Sequence, residues 1–151
     1  MSTNNQLYTS RRAAITKALA DKIREINGRG VYYQSIAEVS PFLKFWDEVT
    51  EFPAVHLNAS NETREYLAGG VKNRFLNLTL RCYVNQDDSV NALDELIQDV
   101  ETVVEDNSVL GYLDRDGVSQ CTQQITVLSI DTDEGVLDPL GVAEMLVEVR
   151  Y

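Results

Sequence analysis

In the stretch FLNLTLRCYV, apolar side chains at Leu76, Leu78, Leu80, Cys82 and Val84 alternate with Asn77, Thr79, Arg81 and Tyr83. Successive side chains of a strand point to opposite faces, so this period predicts one buried face and one that meets polar surroundings or a partner. The closing VAEMLVEVRY repeats the pattern, with Ala143, Met145, Val147, Val149 and Tyr151 on one side. CTQQITVLSI reads as the strand before it, and the loop DTDEGVLDPLG joins the two.

Two other segments follow a helical period. RRAAITKALADKIREING places Ile15, Ala18, Leu19, Ile23 and Ile26 on one stripe, with Thr9 or Ser10 as N-cap and Gly28 as the stop. Its outer face is basic. After NQDDS, the residues Val90, Leu93, Leu96, Ile97, Val100, Val103 and Val104 form a second stripe. Acidic side chains crowd its far side, and Asp87 and Asp88 suit the positive end of its dipole.

The remaining segments carry weaker patterns. VYYQSIAEV and FLKFW are rich in aromatic and β-branched residues and read as short strands separated by Ser40-Pro41. FPAVHLNAS reads as a third, with Pro53 at its start. NETREYLAGGVKNRF, with Gly69-Gly70, suits a hairpin tip or a long mobile loop. NSVLGYLDRDGVSQ is irregular around the Asp116-Gly117 turn, and residues 1–8 are expected to fray. The order predicts an α+β fold in one domain over residues 1–151: two amphipathic helices on one face of a mostly antiparallel or mixed sheet.

Charge adds an orientation to this picture. The chain has 151 residues and a formal net charge of −11, which disfavours attraction to a phosphate backbone. Residues 1–30 hold six basic and two acidic side chains, whereas residues 87–148 hold sixteen acidic ones and a single basic one, Arg115. Such asymmetry can orient neighbouring copies of one protein, with Arg11 and Arg12 at the basic end as contact candidates; the alternative is a solvated acidic face with no partner. No apolar run is long enough to span a bilayer, and MSTNNQLYTSRR lacks the apolar core of a signal peptide. These features point to a cytosolic protein rather than a membrane one.

Candidate chemistry is sparse. Cys82 and Cys121 form neither a disulfide framework nor a zinc site, and Cys82 reads as a small core residue. His56, inside PAVHL, reads as a satisfied structural histidine. Phe42, Phe45, Trp46 and Phe52 suggest a core cluster or, alternatively, a subunit interface. Asp131, Asp133 and Glu134 leave open a two-carboxylate metal site of the kind used in phosphodiester hydrolysis, although the spacing to Gly135 fails the EF-hand pattern and no basic residue completes a phosphoryl-transfer site. A third alternative is an oligomer that binds a ligand in an apolar pocket.

Several stretches together resemble the tail terminator, or tail completion, proteins of long-tailed bacteriophages. They are EFPAVHLNASNETREYLAGG, RFLNLTLRCYV, DELIQDVETVVED and above all IDTDEGVLDPLGVAEMLVEVRY. The family's S/D-T-D-E-G stretch, its P-x-G-x-A and its final Arg-Tyr fall on Asp131 to Gly135, on Pro139, Gly141 and Ala143, and on Arg150 and Tyr151. The resemblance runs from Arg11 onward. It implies a non-enzymatic virion subunit without cofactor or metal, one that forms a homo-oligomeric ring, usually a hexamer, on the head-proximal end of the tail tube. Its implied partners are tail tube protein and a neck or connector protein of the head, and DNA passes through the lumen without specific binding. It also implies that Tyr66, Leu67, Gly69, Gly70 and Val71 form an arm used between subunits or against the tube. By the same resemblance, Asp131, Asp133 and Glu134 belong to a loop between strands that is, with Arg11 and Arg12, a further candidate for a subunit or tube interface. Another neck or connector component is the nearest alternative.

Overall fold

The computed structural model describes residues 10–44 and 46–151, apart from the Trp46 side chain. The expectation for residues 1–8 lies outside the described residues, as does Phe45.

Helix α1, Arg11–Ile23, opens on Ser10, whose hydroxyl accepts from the amide of Ala13 at 3.2 Å. This satisfies one of the donors that a helix start leaves unpaired. The helix ends five residues before Gly28. Tight turns from Lys22 to Glu25 and from Ile23 to Ile26 replace its last rung, yet Ile26 is still delivered to the core.

A five-stranded sheet follows the order β1-β2-β3-β7-β6, with β1 Glu38–Ser40, β2 Ala54–Tyr66, β3 Lys72–Asn85, β6 Gln124–Thr132 and β7 Leu140–Arg150. The β1–β2 pair is parallel and the other pairs are antiparallel. Helix α2, Ser89–Asp106, lies with α1 on one face of the sheet. Leu76, Leu78, Leu80, Cys82 and Val84 of β3 and Ala143, Met145, Val147 and Val149 of β7 are buried beneath the helices, as their alternation predicts. Burial pushes the Cys82 thiol up to about 12, so it serves as packing rather than as a nucleophile. The opposite face carries Asn77, Thr79, Arg81, Glu144, Leu146 and Glu148. Strands β4 Gly111–Leu113 and β5 Ser119–Cys121 form a separate hairpin. Asp114 clamps its turn by accepting from the amides of Asp116 and Val118, both at 2.9 Å.

The two aromatic-rich strands expected over 31–39 and 42–46 reduce to the three residues of β1, followed by a 3-10 turn at Trp46–Glu48. The reason lies in α2. Asp99, buried in that helix, accepts from the amides of Tyr33 at 2.9 Å and Gln34 at 2.8 Å, so these donors go to a carboxylate rather than a ladder. Asp99→Ala leaves both amides without that partner and should cost about 1–3 kcal/mol, read as a lower denaturant midpoint. The aromatic cluster is split in the same region, with Phe42 58% exposed and Phe52 packed on the small cluster of Val49, Ala54 and Tyr83. His56 is buried beside Tyr83 at a ring-centroid distance of 5.2 Å. Neither of its ring nitrogens has a hydrogen-bond partner among the described residues, so it is structural but not satisfied. Burial lowers its pKa and keeps it neutral.

Candidate interaction surfaces

The acidic loop is built to hold a turn. The carboxylate of Asp133 accepts from the amide of Leu137 at 3.1 Å and lies 3.5 Å from that of Val142, while the Asp133 amide donates to the Val142 carbonyl. Asp138 reaches the start of α2, accepting from the Ser89 hydroxyl at 2.6 Å and from its amide at 3.2 Å. It therefore caps the helix from outside, which Asp88, at a left-handed φ of 55° and with no side-chain capping bond, does not do. Gly141 is required here because a Cβ would lie 2.7 Å from Val84 Cγ2 and 3.3 Å from the Ser89 carbonyl oxygen. Asp131 falls within β6 rather than in the loop, opposite Glu144 on the helix-free face, and Glu134 is exposed at the turn with φ 57°. Asp133 is thus spent on the backbone and Asp131 faces another carboxylate. Among the described residues no group of three or more His, Cys, Asp or Glu side chains is placed to hold a metal ion.

The hydrogen bonds from Ser89 hold the Asp138 carboxyl below its ordinary value of 3.8. A depressed carboxylate contributes stability that is fully present above its unfolded pKa and lost as pH falls through the folded one. Stability should therefore fall as pH drops below the ordinary Asp value, and the difference between the parent and Asp138→Asn should shrink over that range in acid-unfolding curves.

The segment around Gly69-Gly70 is an arm. Strand β7 ends its pairing at Phe75↔Arg150, whereas β2 and β3 continue alone through Arg64↔Arg74, Glu65↔Asn73 and Tyr66↔Lys72. The Leu67 amide closes the arm on the Val71 carbonyl at 2.8 Å, and Gly69 and Gly70 turn it at φ 78° and 79°. Nothing stands within 4 Å of a Cβ at either glycine, so the left-handed backbone, not crowding, demands them. The tip is apolar and solvated: Tyr66 is 66%, Leu67 45% and Val71 54% exposed.

Arg11 and Arg12 sit at the base of this arm and already have partners within the chain. Arg11 donates to the Tyr112 hydroxyl at 2.8 Å and lies 5.0 Å from the centroid of the Tyr151 ring, while Arg12 donates to the Ser60 carbonyl. Tyr151 donates to Glu62 at 2.6 Å, and Arg74 packs over the same ring. Burial alone would raise Glu62, but the bonds from Tyr151 and Arg64 outweigh it and leave its pKa lowered. Burial and the Glu62 carboxylate push the Tyr151 phenol up to about 12. Sequence reading missed Glu62, Arg74 and Tyr112 because their meeting depends on strand register, which no local period encodes.

A cleft of about 520 Å³ runs between α1 and the outer edge of β2, lined by Ser10, Arg12, Ala13, Thr16, Lys17, Arg24, Pro41, Asn58 and Ala59. Its charged lining residues are all cations, unlike an apolar ligand pocket.

Residues 9–151 match the family described as Bacteriophage Tail Tube Terminator Protein. The chain is 31% identical over 149 residues to tail tube terminator protein p142 of Escherichia phage T5, covering 93% of this chain and 92% of that one. A chain of the virion of a native gene transfer agent particle shares the fold, with a TM-score of 0.51, 7% identity and 93% of both chains covered. The resemblance carried by the final strands therefore holds along nearly the whole sequence, and the chain belongs to the bacteriophage tail tube terminator family.

Proposed function

We propose that this protein is a structural subunit of the phage tail that forms a homo-oligomeric ring, a hexamer, on the head-proximal end of the tail tube. Bound there, it stops addition of tube protein and offers the surface on which the neck or connector protein of the filled head docks. Capping a polymer end requires complementary surface and no turnover. The observation that carries this reading is the family match across residues 9–151, supported by a loop in which the Asp133 and Asp138 carboxylates serve the backbone.

The charge distribution fits a ring. A basic α1 and an acidic second half favour heterologous, head-to-tail contact, the kind that closes on itself. We assign the helix-free face to the lumen. There Asp131, Glu144 and Glu148 repel a DNA backbone more than Arg81 attracts it, so DNA passes without being held.

The arm is the candidate contact to the tube. Its exposed Tyr66, Leu67 and Val71 offer an apolar tip on a scaffold that the rest of the fold does not need. Replacing Tyr66, Leu67 and Val71 together by serine should leave thermal unfolding unchanged and abolish co-sedimentation with purified tubes. Undiminished binding by the triple variant would remove the arm from the tube contact.

A further inference from the structure

Both edges of the sheet carry unpaired backbone. Strand β1 covers β2 only at Ala54, Val55 and His56, so among the described residues the outer edge of β2 from Leu57 onward has no strand beside it. The cationic cleft opens at that point, where Asn58 and Ala59 form its floor and Arg12, Lys17 and Arg24 its wall. Lys17 is exposed and makes no ion pair among the described residues. At the opposite edge, β6 pairs with β7 alone. Its sequence QITVLSIDT contains no lysine, arginine or proline, the residues that usually guard an exposed strand. Leu128 and Ile130 are 49% and 39% exposed on it. A bulge between Val127 and Ser129 leaves a short straight segment, Ser129 to Thr132, which runs into Asp133 and Glu134. One edge is thus free of strands and acidic at its end, with only the Ile125 amide taken, by the Ser108 hydroxyl. The other has no strand beside it, bulges between Ala59 and Glu62 and lies beneath three cations. Of these, Arg12 donates to the Ser60 carbonyl, Arg24 pairs with exposed Asp21, and Lys17 is unpaired among the described residues.

Building on the ring reading above, we infer that the β6 edge of one copy pairs with the free β2 edge of the next, joining the sheets of the ring into one closed barrel. Alternating antiparallel pairs make β2 and β6 of one copy run in opposite directions. A rotation about an axis close to the strand direction preserves strand sense, so the new junction is antiparallel like those on either side of β3 and β7. The stagger between copies is the one that carries Asp131 and Glu134 toward Lys17 and Arg24, in line with the shear that barrel closure demands. The helices stay outside, and both open edges disappear. An isologous β6–β6 pair would leave the cationic edge of β2 uncovered, which favours the head-to-tail junction.

Charge reversal with restoration tests the junction, read as oligomer mass by sedimentation across a protein concentration series. Lys17→Glu with Arg24→Glu, and separately Asp131→Lys with Glu134→Lys, should each weaken assembly by about tenfold or more, because like charges then face each other. The chain carrying all four changes should assemble within about threefold of the parent, since every junction is complementary again. Leu128→Lys with Ile130→Lys, at exposed positions, should give folded chains by circular dichroism that stay monomeric. A quadruple variant no better than the weaker pair, or normal oligomers from the lysine-edged chain, overturns the junction. A parent chain that is monomeric both alone and with tail tube protein overturns the ring itself, a different result from an oligomer indifferent to these edges.

Discussion

Replacing Leu78 by alanine should cost about 2–5 kcal/mol of folding stability. Leu78 is fully buried on β3, which has β2 on one side and β7 on the other, and it pairs across to Ala59 and Val147. Both helices close over that face, so the sheet has little freedom to collapse into the space left by the deleted methyl groups. The loss is therefore the transfer term plus most of a cavity term. Thr79→Ala, one residue away on the helix-free face, provides the control and should change stability by under about 1 kcal/mol. Urea titrations with equal slopes compare the two. A Leu78→Ala cost under about 0.5 kcal/mol would contradict the packing described for β3.

The parts of the fold that were legible in the sequence are those that bury one face along their whole length. Strand β3 and helix α2 were readable because most apolar side chains report the same buried side. Val90, which the period placed on the α2 stripe, is instead 49% exposed in the first turn, and Tyr83, placed on the polar face, is buried there against Val49 and Ala54. The arm was readable as a hairpin from Gly69-Gly70, but its length was not. Beyond Phe75, Arg64 to Tyr66 of β2 are all exposed, so that stretch has no reason to alternate. Residues 31–37 misled because tyrosine and isoleucine there look like strand formers, whereas the backbone is held by Asp99, 65 residues away from Gln34. Among the assembly candidates, the charge of the α1 surface was legible and its use was not. Arg11 and Arg12 turn inward to Tyr112, Tyr151 and Ser60, which leaves Lys17 as the more available cation. The acidic loop was correctly read as a connection, yet the capping role of Asp138 depends on a contact to Ser89 that only the folded chain creates.

The largest effect concerns the particle. A terminator makes further addition at one end of a polymer unfavourable by occupying it, so its absence removes the stop rather than slowing a reaction. Tubes assembled without it should vary in length, with many longer than normal, and should fail to join filled heads. Supplying the purified protein should cap them in proportion to the number of tube ends. Electron microscopy of lysates from phage lacking this protein measures this directly. A broad tail-length distribution and separate, DNA-filled heads are expected; tails of normal length joined to heads would contradict the terminator role.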